Sequence, residues 1–192
     1  MVAVGTGTNT IATSNDGINW IGRGATTFTN NGNGAAWNGS LWVAVGTGGN
    51  TIATSNDGIN WTGVTNSTSI FGTSGSIGYG VAWNGSRWVA VGTAGATFTS
   101  PIVYSSDGVS WSNISNTNVF GTSTGTGYGV AWNGSLWVAV GSGTGNTIAT
   151  SPDGINWTGR GLYRIWRSVE WFSLGSCRYS WCDIYFSNCI FK

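Results

Sequence analysis

WVAVGTGGNTIATSNDGINW, Trp42 to Trp61, is written four times along this chain with small changes. Copies begin at Val2 (Met1 holds the Trp position), Trp42, Trp88 and Trp137, and end at Trp20, Trp61, Trp111 and Trp157. The matching residues Val2, Val43, Val89 and Val138 lie 41, 46 and 49 positions apart. A period of this length is the signature of a repeat architecture, and recognising it decides the fold.

Within one unit the pattern predicts four short strands. Gly34–Trp37 is the first, and Asn38-Gly39-Ser40 turns it back as a tight hairpin. Leu41–Val45 is the second. It is apolar on both of its faces, which predicts a strand covered on both sides. A glycine-rich loop, 46–50, leads to a third strand at 51–54, then a turn at 55–58 and a fourth strand through Trp61. Four antiparallel strands per unit at this spacing match a β-propeller blade. The expected fold is all-β and propeller-like, with three complete blades and a partial one that lacks its first strand. Blade units fall near 1–24, 33–64, 79–113 and 128–160. Neighbouring blades are expected to pack Trp against Ala and Gly.

Variation in length is confined to one end of the unit. The link 62–80, the loop 92–103 and the link 112–129 all fall there, while the turns at the other end keep their length. Long loops gathered on one rim of a rigid scaffold are where binding usually resides. The aromatic residues in and beside them, Phe71, Tyr79, Tyr104, Phe120 and Tyr128, are the candidate ligand-stacking positions.

Composition restricts the chemistry. Of 192 residues 13 are Trp, only 7% are charged, and the net charge is +1, so no basic footprint for nucleic acid exists. There is no His, and the three Cys (Cys177, Cys182, Cys189) all lie in the tail. No apolar run is long enough to span a membrane as a helix. Repeat residues follow Met1 directly, so no signal peptide is expected in this sequence, and secretion would need another route or a longer parent chain. The only acids in residues 1–160 are Asp16, Asp57, Asp107 and Asp153, and all four occupy one repeated turn. That leaves no spare carboxylate for general acid–base work and no metal-ligand set. The expectation is a non-enzyme without cofactor or metal.

That turn is Ser14, Asp16, Gly17, Trp20; Ser55, Asp57, Gly58, Trp61; Ser105, Asp107, Gly108, Trp111; and Ser151, Asp153, Gly154, Trp157. Ser and Asp side chains bond to nearby backbone in such turns, Gly takes the positive-φ position, and the Trp anchors it. The S-x-D-G-x-x-W pattern resembles the Asp-box, or BNR, repeat of sialidase-like propellers, with Asp and Gly adjacent. The resemblance spans residues 1–160. It implies that the turn is structural and lies away from the catalytic face of such propellers. Sialidases need an arginine triad, a Tyr–Glu pair and an acid, whereas the repeats offer Arg23, Arg87 and Arg160 and no Glu.

The expected function is a binding module for a glycan or a protein, at the cell surface, on a virion or outside the cell. A structural or assembly scaffold is the alternative reading, and a sialidase-like glycosidase the third. Pairing between copies through open blade edges is expected as well. From Leu162 the repeat pattern stops. Back-translated from Tyr163 with allowed codons and read one nucleotide later, the tail gives IEYGGAWNGSLWVAVGTV, the missing next repeat. The segment 161–192 is therefore expected to be a frameshifted repeat. Its residues 168–174 are placed to supply the first unit's missing strand.

Overall fold

The local rules above build antiparallel β-structure throughout. In a computed structural model the described residues are 1–65, 70–71, 75–93, 100–121 and 125–161. They lie within one compact unit, Met1–Leu162. The expected closing strand at 168–174 lies outside the described residues.

The first unit is a three-stranded meander of β1 (Val2–Val4), β2 (Ile11–Thr13) and β3 (Ile21–Gly22). The second unit is a four-stranded meander of β4 (Asn31–Trp37), β5 (Trp42–Thr47), β6 (Ile52–Ser55) and β7 (Thr62–Gly63). The third comprises β8 (Ile77–Trp83), β9 (Trp88–Thr93), β10 (Ile102–Ser105) and β11 (Ser112–Asn113). The fourth comprises β12 (Thr126–Trp132), β13 (Trp137–Ser142), β14 (Ile148–Ser151) and β15 (Thr158–Arg160). The third and fourth units share one eight-stranded sheet, joined among the described residues where Thr126 of β12 pairs with Thr93 of β9. Thr6 and Asn31 make the corresponding single bridge between the first two units.

All four strands differ in extent from the sequence reading: the second runs to Thr47 rather than Val45, the third spans Ile52–Ser55 rather than 51–54, and the first and fourth differ most. The first strand runs seven residues, not four, because it continues past a bulge: the register shifts between Gly32 and Gly34, Gly78 and Gly80, and Gly127 and Gly129. The extra residue at each bulge is Asn33, Tyr79 or Tyr128, and a bulge re-aims its side chain out of the ladder. The fourth strand begins after its Trp, not before it. Trp61 is held in the turn, where its indole N–H donates to the Gly58 carbonyl at 2.8 Å, so pairing resumes only at Thr62.

The units pack through two unlike faces. One face carries Val43, Val45 and Ile52 in the second unit, and the matching residues are Val2, Val4 and Ile11 in the first and Val89, Val91 and Ile102 in the third. The other face carries Ala44, Ala53 and Trp61, or Ala139, Ala149 and Trp157. Each Val/Ile face is covered by the Ala/Trp face of the following unit, which yields three apolar clusters. Alanines there admit the neighbour's branched side chains. Glycines admit them closer still: a Cβ on Gly32, Gly78 or Gly127 would fall 2.7–2.8 Å from the Cβ of Val4, Val45 or Val91.

Candidate binding rim

Each link between units begins by filling a gap. Phe28, Phe71 and Phe120 are wholly buried, and their rings lie against Gly46, Gly92 and Gly141, where a Cβ would come within 2.7, 3.2 and 2.9 Å of them. Phe71 and Phe120 were candidate ligand positions in the sequence. They are core residues, because the strand-two glycine of each unit leaves a ring-sized space that only the preceding link can fill. Tyr104 leaves the candidate rim as well. It pairs with Val89 and Ser112 toward the opposite end of the unit, and the Arg87 guanidinium sits 5.3 Å over its ring.

Tyr79 and Tyr128 remain together near the loop end. Both are bulge residues of first strands, with ring centroids 5.4 Å apart in an edge-on arrangement. Tyr128 is 52% exposed, and its phenolic oxygen accepts a hydrogen bond from Ser142 Oγ at 3.1 Å. Asn33 holds the same place in the second unit and donates from Nδ2 to the Gly78 carbonyl at 2.8 Å.

The same end holds an open pocket of about 700 Å³ between the second and third units, lined by Asn30, Asn31, Thr47, Gly48, Gly75, Ser76 and Ile77. Its walls are the strand-two end, the loop after it and the two links, so it lies on the rim of variable length. Among the described residues no charged side chain lines it. The Thr47 hydroxyl is buried and has no hydrogen-bond partner among the described residues. Its counterpart Thr93 bonds Thr126 Oγ1 at 3.3 Å across the next junction. A buried polar atom left without a partner is uncommon and costs free energy, and the indole N–H groups of Trp88 and Trp137 share that state. None of these residues stood out in the sequence. Thr47 is the last residue of an apolar strand, and only the spacing between units exposes its role.

The repeated turn sits at the far end and is closed on itself. Ser55 Oγ donates to Asp57 Oδ1 at 2.9 Å and accepts from the Gly58 N–H at 2.8 Å. Asp57 Oδ1 also accepts from the Ile59 and Asn60 N–H groups, and Oδ2 accepts from the Asn60 amide, all at 2.8 Å. The other three turns repeat the scheme, except that Ser110 stands where Asn19, Asn60 and Asn156 donate a side-chain amide. Backbone N–H groups of Asn19 and Asn60 hold Asp16 and Asp57 far below the ordinary carboxylate value. Asp153 is lowered as well: partial burial works against ionisation but is outweighed by hydrogen bonds from Asn156 and Ile155. Asp107, bonded by the Ser110 N–H, falls to about 2. The Oδ1 atom of each carboxylate already accepts three hydrogen bonds within its own turn. Among the described residues no cluster of three or more His, Cys, Asp or Glu could hold a metal ion.

No protein-family model matches the sequence, and comparison with curated proteins finds no similar chain.

Proposed function

We propose that this chain is a non-enzymatic binding module built from β-propeller-type blades, with a glycan as its ligand at the loop rim between the second and third units. The observation that carries the reading is the open pocket on the rim of variable length, whose described lining offers amides and hydroxyls and no charged side chain. Such a lining suits a neutral, hydroxyl-rich ligand, which offers both donors and acceptors, better than an ionic one. Tyr79 and Tyr128 supply the neighbouring aromatic surface. The blade reading draws support from the repeated meander, its spacing and the recurring Val/Ile-on-Ala/Trp packing.

A glycan array probed with the full chain tests the proposal, followed by calorimetry on any hit with Asn31→Ala, which removes an amide from the pocket lining. The expected result is a hit whose affinity falls about 10-fold in the variant, the loss of one good hydrogen bond. No hit, or a hit indifferent to Asn31→Ala, overturns it.

A scaffold role is the second reading, favoured by the uncovered face of the fourth unit. The glycosidase reading has less support. A general acid needs a raised pKa, and the four turn carboxylates are lowered. Absence of turnover on a fluorogenic sialoside is the expected outcome.

A further inference from the structure

The inter-unit interface is seen three times, and both of its halves recur once more without a partner. In the fourth unit Val140 is 46% exposed, although its counterparts Val45 and Val91 are fully buried. Val138 and Ile148 beside it are only partly covered, whereas Val43, Val89, Ile52 and Ile102 are fully buried. A Cβ on Gly129 would touch nothing but Val140 of its own unit, whereas Gly34 and Gly80 abut the next unit's first strand. The opposite face is bare in the first unit. Ala3 is exposed while Ala44, Ala90 and Ala139 are fully buried, and Met1 and Trp20 are 57% and 44% exposed. The turn glycine repeats the pattern. Gly58, Gly108 and Gly154 each lie against a Val of the preceding unit (Val2, Val43, Val89), while Gly17 meets only Met1.

We propose that these two faces join head to tail between copies of this chain: Val138, Val140 and Ile148 of one copy cover Met1, Ala3 and Trp20 of the next. The structure itself states what covers a Val/Ile face, since an Ala/Trp face does so at all three internal junctions. Both free faces are apolar, and their shapes are those that already fit. Since the first unit has no first strand among the described residues, the joint lacks the glycine that packs on Val4, Val45 and Val91. It is therefore smaller than an internal junction and dissociates on dilution. A joint between unlike faces makes a closed ring if its rotation closes and a filament if it does not.

Sedimentation of the full chain over a wide concentration range tests this, together with Val140→Lys and Ala3→Lys. Both positions are exposed in the single chain, so neither variant buries a charge in the monomer. Circular dichroism melts establish that the variants fold, and Val140→Thr with Ala3→Ser serve as milder replacements if they do not. The wild type is expected to assemble as concentration rises. Each Lys variant alone is expected to stay monomeric, because each retains only one working face. Their equimolar mixture is expected to form a one-to-one complex and nothing larger. A wild type that is monomeric throughout overturns the proposal, and so would its own residues 162–192 covering the face. Variants that assemble like wild type, one variant that assembles alone, or a mixture that remains monomeric also overturn it.

Discussion

At the residue scale the Asp-Gly turn is the most constrained feature of the chain. Gly108 has φ +79°, and a Cβ there would lie 2.8 Å from Leu41 Cδ2 and 3.2 Å from Val43 Cγ2. Gly108→Ala is expected to cost about 2–4 kcal/mol, combining the left-handed backbone penalty with overpacking against the preceding unit. Denaturant titration measures it, and a cost under about 1 kcal/mol would show that the turn relaxes. Ser110→Asn is expected to act the other way. It supplies the amide that the other three turns direct to the second carboxylate oxygen, and should add up to about 1 kcal/mol at this exposed site. The turns also fix the acid response. Their carboxylates have folded values below the ordinary 3.8, so the unfolded chain takes up protons first. The stability they contribute is complete above the unfolded value and is lost as pH falls through the folded ones. The melting temperature is expected to fall as pH drops from 3.8 toward the value of about 2 at Asp107 and below it. Asp57→Asn should weaken that dependence. This turn was legible because its chemistry is local: Ser, Asp and Gly within four residues dictate their own hydrogen bonds.

At the element scale local chemistry no longer suffices. The strands were legible from the repeat, from the doubly apolar second strand and from the Asn-Gly hairpins, but their ends were not. The bulges at Asn33, Tyr79 and Tyr128 and the late start of the fourth strand depend on register and on the Trp indole bond. The links misled for a related reason. An aromatic in a long loop reads as a ligand platform, and nothing near Phe71 in sequence reveals that Gly92 has left it a vacancy. The two kinds of aromatic should separate by experiment. Phe71→Ala empties a buried ring site and is expected to cost about 3–5 kcal/mol. Tyr128→Ala removes a ring that is 52% exposed, and should leave the melting temperature nearly unchanged while weakening any ligand held at the rim. A Tyr128→Ala loss as large as that of Phe71→Ala would show that Tyr128 is a core residue as well.

At the scale of the whole molecule, stability should follow position in the array. In a stack of repeats each unit is held mainly by its neighbours, so units covered on both faces outlast those covered on one. The second and third units are covered on both, and Val43, Val45, Val89 and Val91 have no exposed surface. Among the described residues the first unit has three strands and bares its Ala/Trp face, and the fourth bares its Val/Ile face. Native-state hydrogen exchange should therefore find the slowest amides in β5, β6, β9 and β10, and faster ones in the matching residues of β1, β2, β13 and β14. Local opening of an end unit forfeits only one junction, whereas opening a central unit forfeits two, so the gap reads the strength of a single junction. The same experiment at high protein concentration carries a second expectation. If copies join head to tail, the end units gain the junction they lack, and protection in β1 and β13 rises with concentration while β5 and β9 stay unchanged. Uniform protection along the array at low concentration would show instead that the four units open as one, with no role for the uncovered faces.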